Sequence, residues 1–130
     1  MKYLLVLPIA LLAAPAVAQS TTPAELLAQY STKAGAEASA ERGQALFMAD
    51  HTGGKPDTPS CTTCHTADPK SAGQARTGKP IEPLAPSANP ERFTDLKFVE
   101  KWFGRNCNSV LGRDCTAAEK ADVIAWLASL

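Results

Sequence analysis

Cys61-Thr62-Thr63-Cys64-His65 is the stretch that decides how the rest of the chain is read. C-x-x-C-H is the attachment pattern of a c-type haem. Two thiols that add across the haem vinyl groups must sit three residues apart on one turn of backbone. The histidine that follows then lies under the iron as proximal ligand, a role suited to neutral imidazole. Two other uses of C-x-x-C compete. A thioredoxin-like dithiol opens a helix after a strand, and no strand-like run precedes Cys61. A zinc site needs a second ligand pair, for which only Cys107 and Cys115 remain, and they are not at C-x-x-C spacing. The expected cofactor is one covalently attached haem c on Cys61, Cys64 and His65, because the motif occurs once.

Upstream, Met1 to Ala18 reads as a cleaved export signal. Lys2 supplies the positive start, Tyr3 to Ala14 is apolar apart from Pro8, and Ala16-Val17-Ala18 is a small-x-small cleavage site. The apolar run is shorter than the roughly 20 residues that cross a bilayer. The expected organisation is a signal peptide over 1–18, an extension with a short helix over 19–38, and the main domain over 39–130. Export places the protein in the periplasm, where haem attachment and disulfides are both permitted. The chain holds 13 basic and 13 acidic residues, and loss of Lys2 tips the balance to −1. That leaves no basic field for nucleic acid.

The elements read as helices. Thr22-Pro23-Ala24-Glu25 is a helix start with cap, Pro at the first position and acid at the third. The short helix it opens is expected to pack on the main domain rather than at its centre. Ser39 caps a second helix, Ala40 to about Ala49, with Gly43, Leu46 and Phe47 on one face. Thr116 and Glu119 form a capping box for the last helix, whose stripe is Val123, Ile124, Trp126, Leu127 and Leu130. A glycine on a helix face suggests close approach of another helix, so Gly43 and Phe47 are expected to cross Trp126. Between these, Thr94 or Asp95 opens a third helix, Leu96 to Phe103, with Phe98, Trp102 and Phe103 packing around the haem. From Thr66 to Pro90 regular structure is not expected, and Ile81, Leu84 and Pro86 are candidate contacts with the macrocycle. His51, among loop residues, is read as surface. The fold class is all-α, one small helical domain that uses the haem as part of its core.

The sixth position of iron is the open question. Electron-transfer cytochromes c commonly add a methionine opposite histidine. After residue 18 the only methionine is Met48, which precedes the motif and suits a gap-filling role. The stretch from Arg105 to Cys115 follows the aromatic helix and must cross near the haem. Cys107 and Cys115, eight apart in an exported protein, point to a local disulfide contributing roughly 2.5 kcal/mol, with a redox-active pair as the alternative.

Three groups of residues resemble a known family. Ala40 to Phe47, the C-x-x-C-H run and Trp126 are similar to class I cytochromes c. More narrowly, Gly54 to His65, Gly78-Lys79-Pro80-Ile81-Glu82-Pro83, Ala85-Pro86-Ser87 and Val99 to Arg113 resemble the SHP-type cytochromes c. The Thr21 to Ala38 region carries little of this signal. The resemblance implies a soluble monohaem protein in which Asn106 is the sixth ligand of ferric iron and leaves on reduction, so that ferrous haem binds oxygen or nitric oxide. It also implies a Cys107–Cys115 disulfide, and a dihaem cytochrome c or membrane cytochrome b as electron donor.

By residue chemistry alone, the favoured reading of Asn106 is a loop asparagine bonding local backbone. Asn108, Lys97 and Lys79 are its rivals as ligand. No acid–base constellation is in view, since His51 and His65 are the only histidines. Electron acceptance and gas binding are therefore expected ahead of enzymatic turnover, with nitric oxide or oxygen chemistry at ferrous haem left open. The competing reading is a plain six-coordinate electron carrier. No apolar stripe is left over for self-association, so a monomer is expected.

Overall fold

The computed structural model describes residues 19–130, and the export signal read over residues 1–18 lies outside them. The helix starts are local chemistry. Thr22 caps α1 (Pro23–Ala34) by accepting from the Glu25 amide at 3.2 Å. Ser39 caps α2 (Ala40–Met48) through the Arg42 amide. Asp95 caps α4 (Leu96–Leu111) through the Phe98 amide. Thr116 and Glu119 close a reciprocal capping box on α5 (Ala117–Ser129). The short α3 (Thr62–His65) carries the C-x-x-C-H residues. A two-residue antiparallel pair, β1 (Gly73–Gln74) with β2 (Pro80–Ile81), interrupts the stretch expected to be irregular. It does not alter the class, which is all-α.

Helix α2 crosses α5 at Gly43. A Cβ there would overlap the backbone carbonyl of Asp122 and the amide of Val123, so only glycine permits this approach. One turn further, Phe47 packs on Trp126 with ring centroids 5.1 Å apart. The expected crossing is therefore present. Beside it lies a polar feature hidden in the apolar stripe. Buried Asp122 accepts from Arg42 Nε and Nη2, each at 2.8 Å, and from the Ser39 amide at 2.6 Å, tying the start of α2 to the middle of α5. A carboxylate satisfied by three donors can be buried where an unpaired one could not.

Two expectations need correction. Helix α1 is not peripheral: Leu26 and Tyr30 are fully buried and form one cluster with Val99, Ala121 and Ile124. The Tyr30 hydroxyl donates to Glu100 on α4 at 2.5 Å, and Lys120 on α5 donates to the same carboxylate at 2.6 Å. Burial and that acidic partner both push the Tyr30 phenol up. The aromatic helix does not stop at Phe103 either, but runs through Gly104 to Leu111. A helical glycine costs about 1 kcal/mol, less than burying Val99, Cys107 and Val110 on the same helix returns. The stop signal is Gly112, left-handed at φ +71°. Asn106 is consequently a helix residue.

Two tests follow from this packing. Gly43→Ala should lower the unfolding free energy by about 1–3 kcal/mol, the usual cost of overpacking, measured by guanidinium unfolding of the ferric protein. Glu119, bonded by Arg113 and the Thr116 amide, is held down to about 2. A carboxyl depressed in the folded state stabilises above its unfolded value and loses that contribution as pH falls. Glu119→Gln should therefore cost roughly 1–2 kcal/mol near neutral pH, allowing for solvent around the exposed arginine. Between about pH 4.5 and 2 the difference from wild type should vanish.

Candidate functional site

The turn that carries the cysteines hangs on α2. The buried Ser60 hydroxyl donates to the Phe47 carbonyl at 3.2 Å and accepts from the Thr62 amide and hydroxyl at 3.2 and 2.9 Å. The Cys64 and His65 amides both return to the Cys61 carbonyl, closing one helical turn. This places Cys61, Cys64 and His65 on consecutive sides of a single turn. The next residue, Thr66, has φ +63°, a conformation costly for a branched residue. Its hydroxyl accepts from the Asp68 amide and donates to the Asp68 carbonyl. Glycine 73 on β1 packs so closely on Cys64 and His65 that a Cβ would overlap the Cys64 carbonyl.

Burial, helped by the positive charge of Arg92, pushes the His65 imidazole down to about 4, so it is neutral at physiological pH. Its ring lies 6.2 Å from Phe47. Burial also pushes the Cys61 thiol up to about 11. That is opposite to the activated thiolate of a redox dithiol. Cys61 and Cys64 are unpaired, while Cys107 and Cys115 form a disulfide with Cα atoms 5.5 Å apart. The disulfide removes the only second ligand pair for zinc.

Opposite His65 stands Asn106. Its amide Nδ2 is 3.4 Å from His65 Nε2, whereas His65 Nδ1 is buried without a partner. His65 and Asn106 are the side chains here that would hold an iron. The two amide atoms exchange by a flip, and the oxygen is the better ligand because the nitrogen lone pair is delocalised. Phe98 and Trp102 lie two turns and one turn, respectively, before Asn106 on α4, with ring centroids 6.0 Å apart. They are 46% and 39% exposed, the two large apolar side chains left uncovered among the described residues. Unlike Phe103, which packs edge-on against Tyr30, they have no protein core to cover them. The facing His65 and Asn106 side chains, two free thiols on one turn and an uncovered aromatic pair together fit a haem c.

What keeps Asn106 facing His65 is the loop before the cysteines. The Lys55 amide donates to the Ser109 carbonyl at 2.7 Å, and the Thr58 hydroxyl bonds Ser109 at its carbonyl (3.0 Å) and hydroxyl (2.8 Å). Gly53 and Gly54 lie against the backbone of Ser109 to Leu111 with no room for a Cβ at either position. Sequence reading did not single out Thr58, Ser60 or Ser109. The Gly53-Gly54 pair and Gly112 were the available signal of a close backbone approach.

The rivals are placed elsewhere. Asn108 is committed, donating to the Gly104 carbonyl at 2.8 Å and to Asp114 at 2.6 Å. His51 is half-buried rather than surface, its Nε2 2.9 Å from the Leu46 carbonyl at the end of α2, where an imidazole suits the helix dipole. Lys97 is exposed on α4, and Lys79 is exposed beside the β1–β2 turn. Leu84 packs against the Phe47–Trp126 cluster together with Cys61, and Ile81 and Pro86 are half-buried nearby in the chain.

Comparison with known proteins agrees with this geometry. Residues 33–127 match a family model described as a domain of unknown function (DUF1924). The chain is 68% identical over 120 residues to the cytochrome c-type protein SHP of Cereibacter sphaeroides, covering 92% of this chain and 93% of that one. It superposes on the structure of oxidised SHP, described as an oxygen-binding cytochrome c, with a TM-score of 0.83 at 68% identity over 85% of this chain and 99% of that one. The solution structure of Methylophilus methylotrophus cytochrome c'', described in terms of haem-ligand detachment, matches with a TM-score of 0.70 at 35% identity, over 83% of this chain and 93% of that one. With this identity along nearly its whole length, and a site shaped for one covalently attached haem c, the chain belongs to the SHP-type cytochromes c.

Proposed function

We propose that this protein is a periplasmic cytochrome that accepts electrons from a partner cytochrome and, once reduced, binds a diatomic gas where Asn106 withdraws. The observation that carries the reading is the opposition of Asn106 and His65 across 3.4 Å from two separately anchored elements. The 68% identity to a protein described as an oxygen-binding cytochrome c, and the likeness to one described by ligand detachment, support it. In this reading Cys61 and Cys64 hold the haem by thioether bonds, His65 Nε2 is the proximal ligand and the Asn106 amide oxygen the distal one. Residues 1–18 are removed on export, leaving the extension 19–38 joined to the 39–130 domain. The donor is a dihaem cytochrome c or a membrane cytochrome b.

The haem, when bound, would supply one-electron redox chemistry at its iron and the capacity to bind a diatomic molecule. The chain's own part is asymmetric. His65 offers a neutral imidazole on a turn bonded to α2 and braced by Gly73, so it stays in place. Asn106 offers a neutral amide oxygen, a weak, hard donor that matches ferric better than ferrous iron. Its backbone is fixed by the helix, the disulfide and the Ser109 bonds. Release is therefore a rotation about the side-chain bonds of one residue, with no helix to unwind. Phe98 and Trp102 cover the macrocycle beside it and keep water out. With those two rings so used, no other large apolar side chain is exposed among the described residues, which supports a monomer.

Asn106→Ala tests the assignment. The ferric variant should show a high-spin absorption spectrum where wild type is low-spin, and its reduced form should take up oxygen or nitric oxide at least as fast as wild type. A ferric variant that stays low-spin with the wild-type spectrum would return Asn106 to a packing role and leave a plain six-coordinate carrier.

A further inference from the structure

The chain just after the export signal runs antiparallel to the start of α4. The Thr21 amide donates to the Thr94 carbonyl at 2.9 Å, the Leu96 amide donates to the Gln19 carbonyl at 3.2 Å, and Ser20 bridges Asp95. Leu96 is the first residue of α4, so its N–H is one of those a helix leaves without an internal partner. The Asp95 side chain satisfies another, at Phe98. The Gln19 carbonyl is thus a second cap on the helix that carries Asn106. Gln19 and Ser20 are both exposed, and the contact to Leu96 uses only the main-chain oxygen of Gln19. A glutamine left first in a chain has an α-amine placed to close a five-membered ring on its own side-chain amide.

We propose that Gln19, freed by cleavage after Ala18, closes to pyroglutamate, and that the mature chain caps α4 with this uncharged terminus. The proposal rests on the reading that residues 1–18 are removed on export. In the step, the unprotonated α-nitrogen attacks the side-chain Cδ. The bond from Cδ to the amide nitrogen breaks, and that nitrogen leaves as ammonia with the proton the amine gives up. No oxidant and no second substrate enter. The ring takes in the α-nitrogen and Cδ, so the main-chain carbonyl that accepts from Leu96 is unaltered. What changes is charge. An α-amine titrates near 7.7–8.0 and is mostly ammonium at neutral pH, by about three to one or more. Here it would stand beside the positive end of the α4 dipole, with Lys97 exposed on the first turn and the Asp95 carboxylate already engaged by the Phe98 amide. The lactam removes that charge, as other terminal blocking groups do, and keeps the cap.

Intact-mass spectrometry of the exported holoprotein tests this. The mass should lie about 17 Da below that of the haem-bearing chain 19–130 with a free amine, the loss of one ammonia. Peptide fragmentation should place the loss on Gln19. Gln19→Ser cannot cyclise and should keep its amine. In that variant the Leu96 amide should exchange with deuterium about two- to fivefold faster than in wild type at low salt, with the ferric absorption spectrum unchanged. A chain that starts at Gln19 and keeps its free amine after prolonged incubation at neutral pH would overturn the proposal and leave the cleavage reading standing. Equal exchange at Leu96 in the two proteins would overturn the role given to the uncharged terminus. A chain that starts at another residue would overturn the cleavage reading, and the proposal with it.

Discussion

The backbone-to-backbone seat of the Gly53–Thr58 loop against the last turn of α4 is the constraint on which the site depends. The loop leads directly into the turn of Cys61, Cys64 and His65, and the helix turn follows directly on Asn106. Where they meet there is no side chain between them: Gly53 and Gly54 lie on the carbonyls of Ser109 to Leu111, and Lys55 and Thr58 bond Ser109. A single added methyl at either glycine would part the two segments. Because the segments that carry His65 and Asn106 both leave this seat within a few residues, the His65–Asn106 separation is set by short, stiff connections.

The rest of the fold fixes the two sides of that seat from behind. On the histidine side, Ser60 is bonded to the end of α2, and α2 is locked to α5 through the Gly43 crossing and the buried Arg42–Asp122 pair. On the asparagine side, α4 is held at its middle by Glu100, which both Tyr30 on α1 and Lys120 on α5 engage. At its end the disulfide and the left-handed Gly112 turn the chain back toward α5. A side chain can then move at Asn106 while its backbone does not, which is the condition for a ligand that leaves and returns.

Much of this was legible in the sequence where local chemistry decides. The capped helix starts at Thr22, Ser39 and Thr116, the Gly43 crossing and the pairing of Cys107 with Cys115 are short-range or strongly patterned and appear as read, and of the two candidate caps Thr94 and Asp95 the structure uses Asp95. The misreadings share a cause. The third helix reads as ending at Phe103, just before Gly104, because propensity is local, whereas burial of Cys107 and Val110 on the same helix is not. Helix α1 looked peripheral because its apolar face is modest, yet Leu26 and Tyr30 fill the space between α4 and α5. Asp122 in an apolar stripe, and Thr58, Ser60 and Ser109 at the site, are polar residues whose partners are 13 to 80 or more positions away. No local pattern announces them.

The proposed gas binding requires a sixth ligand that is present in the ferric protein and absent in the ferrous one. Resonance Raman spectra of the wild-type holoprotein, recorded ferric and then fully reduced without gas, test this most directly. The marker bands should report six-coordinate low-spin iron in the ferric protein and five-coordinate high-spin iron after reduction. A reduced protein that remains six-coordinate and low-spin would contradict the account, because a ligand that stays on ferrous iron leaves no place for a gas.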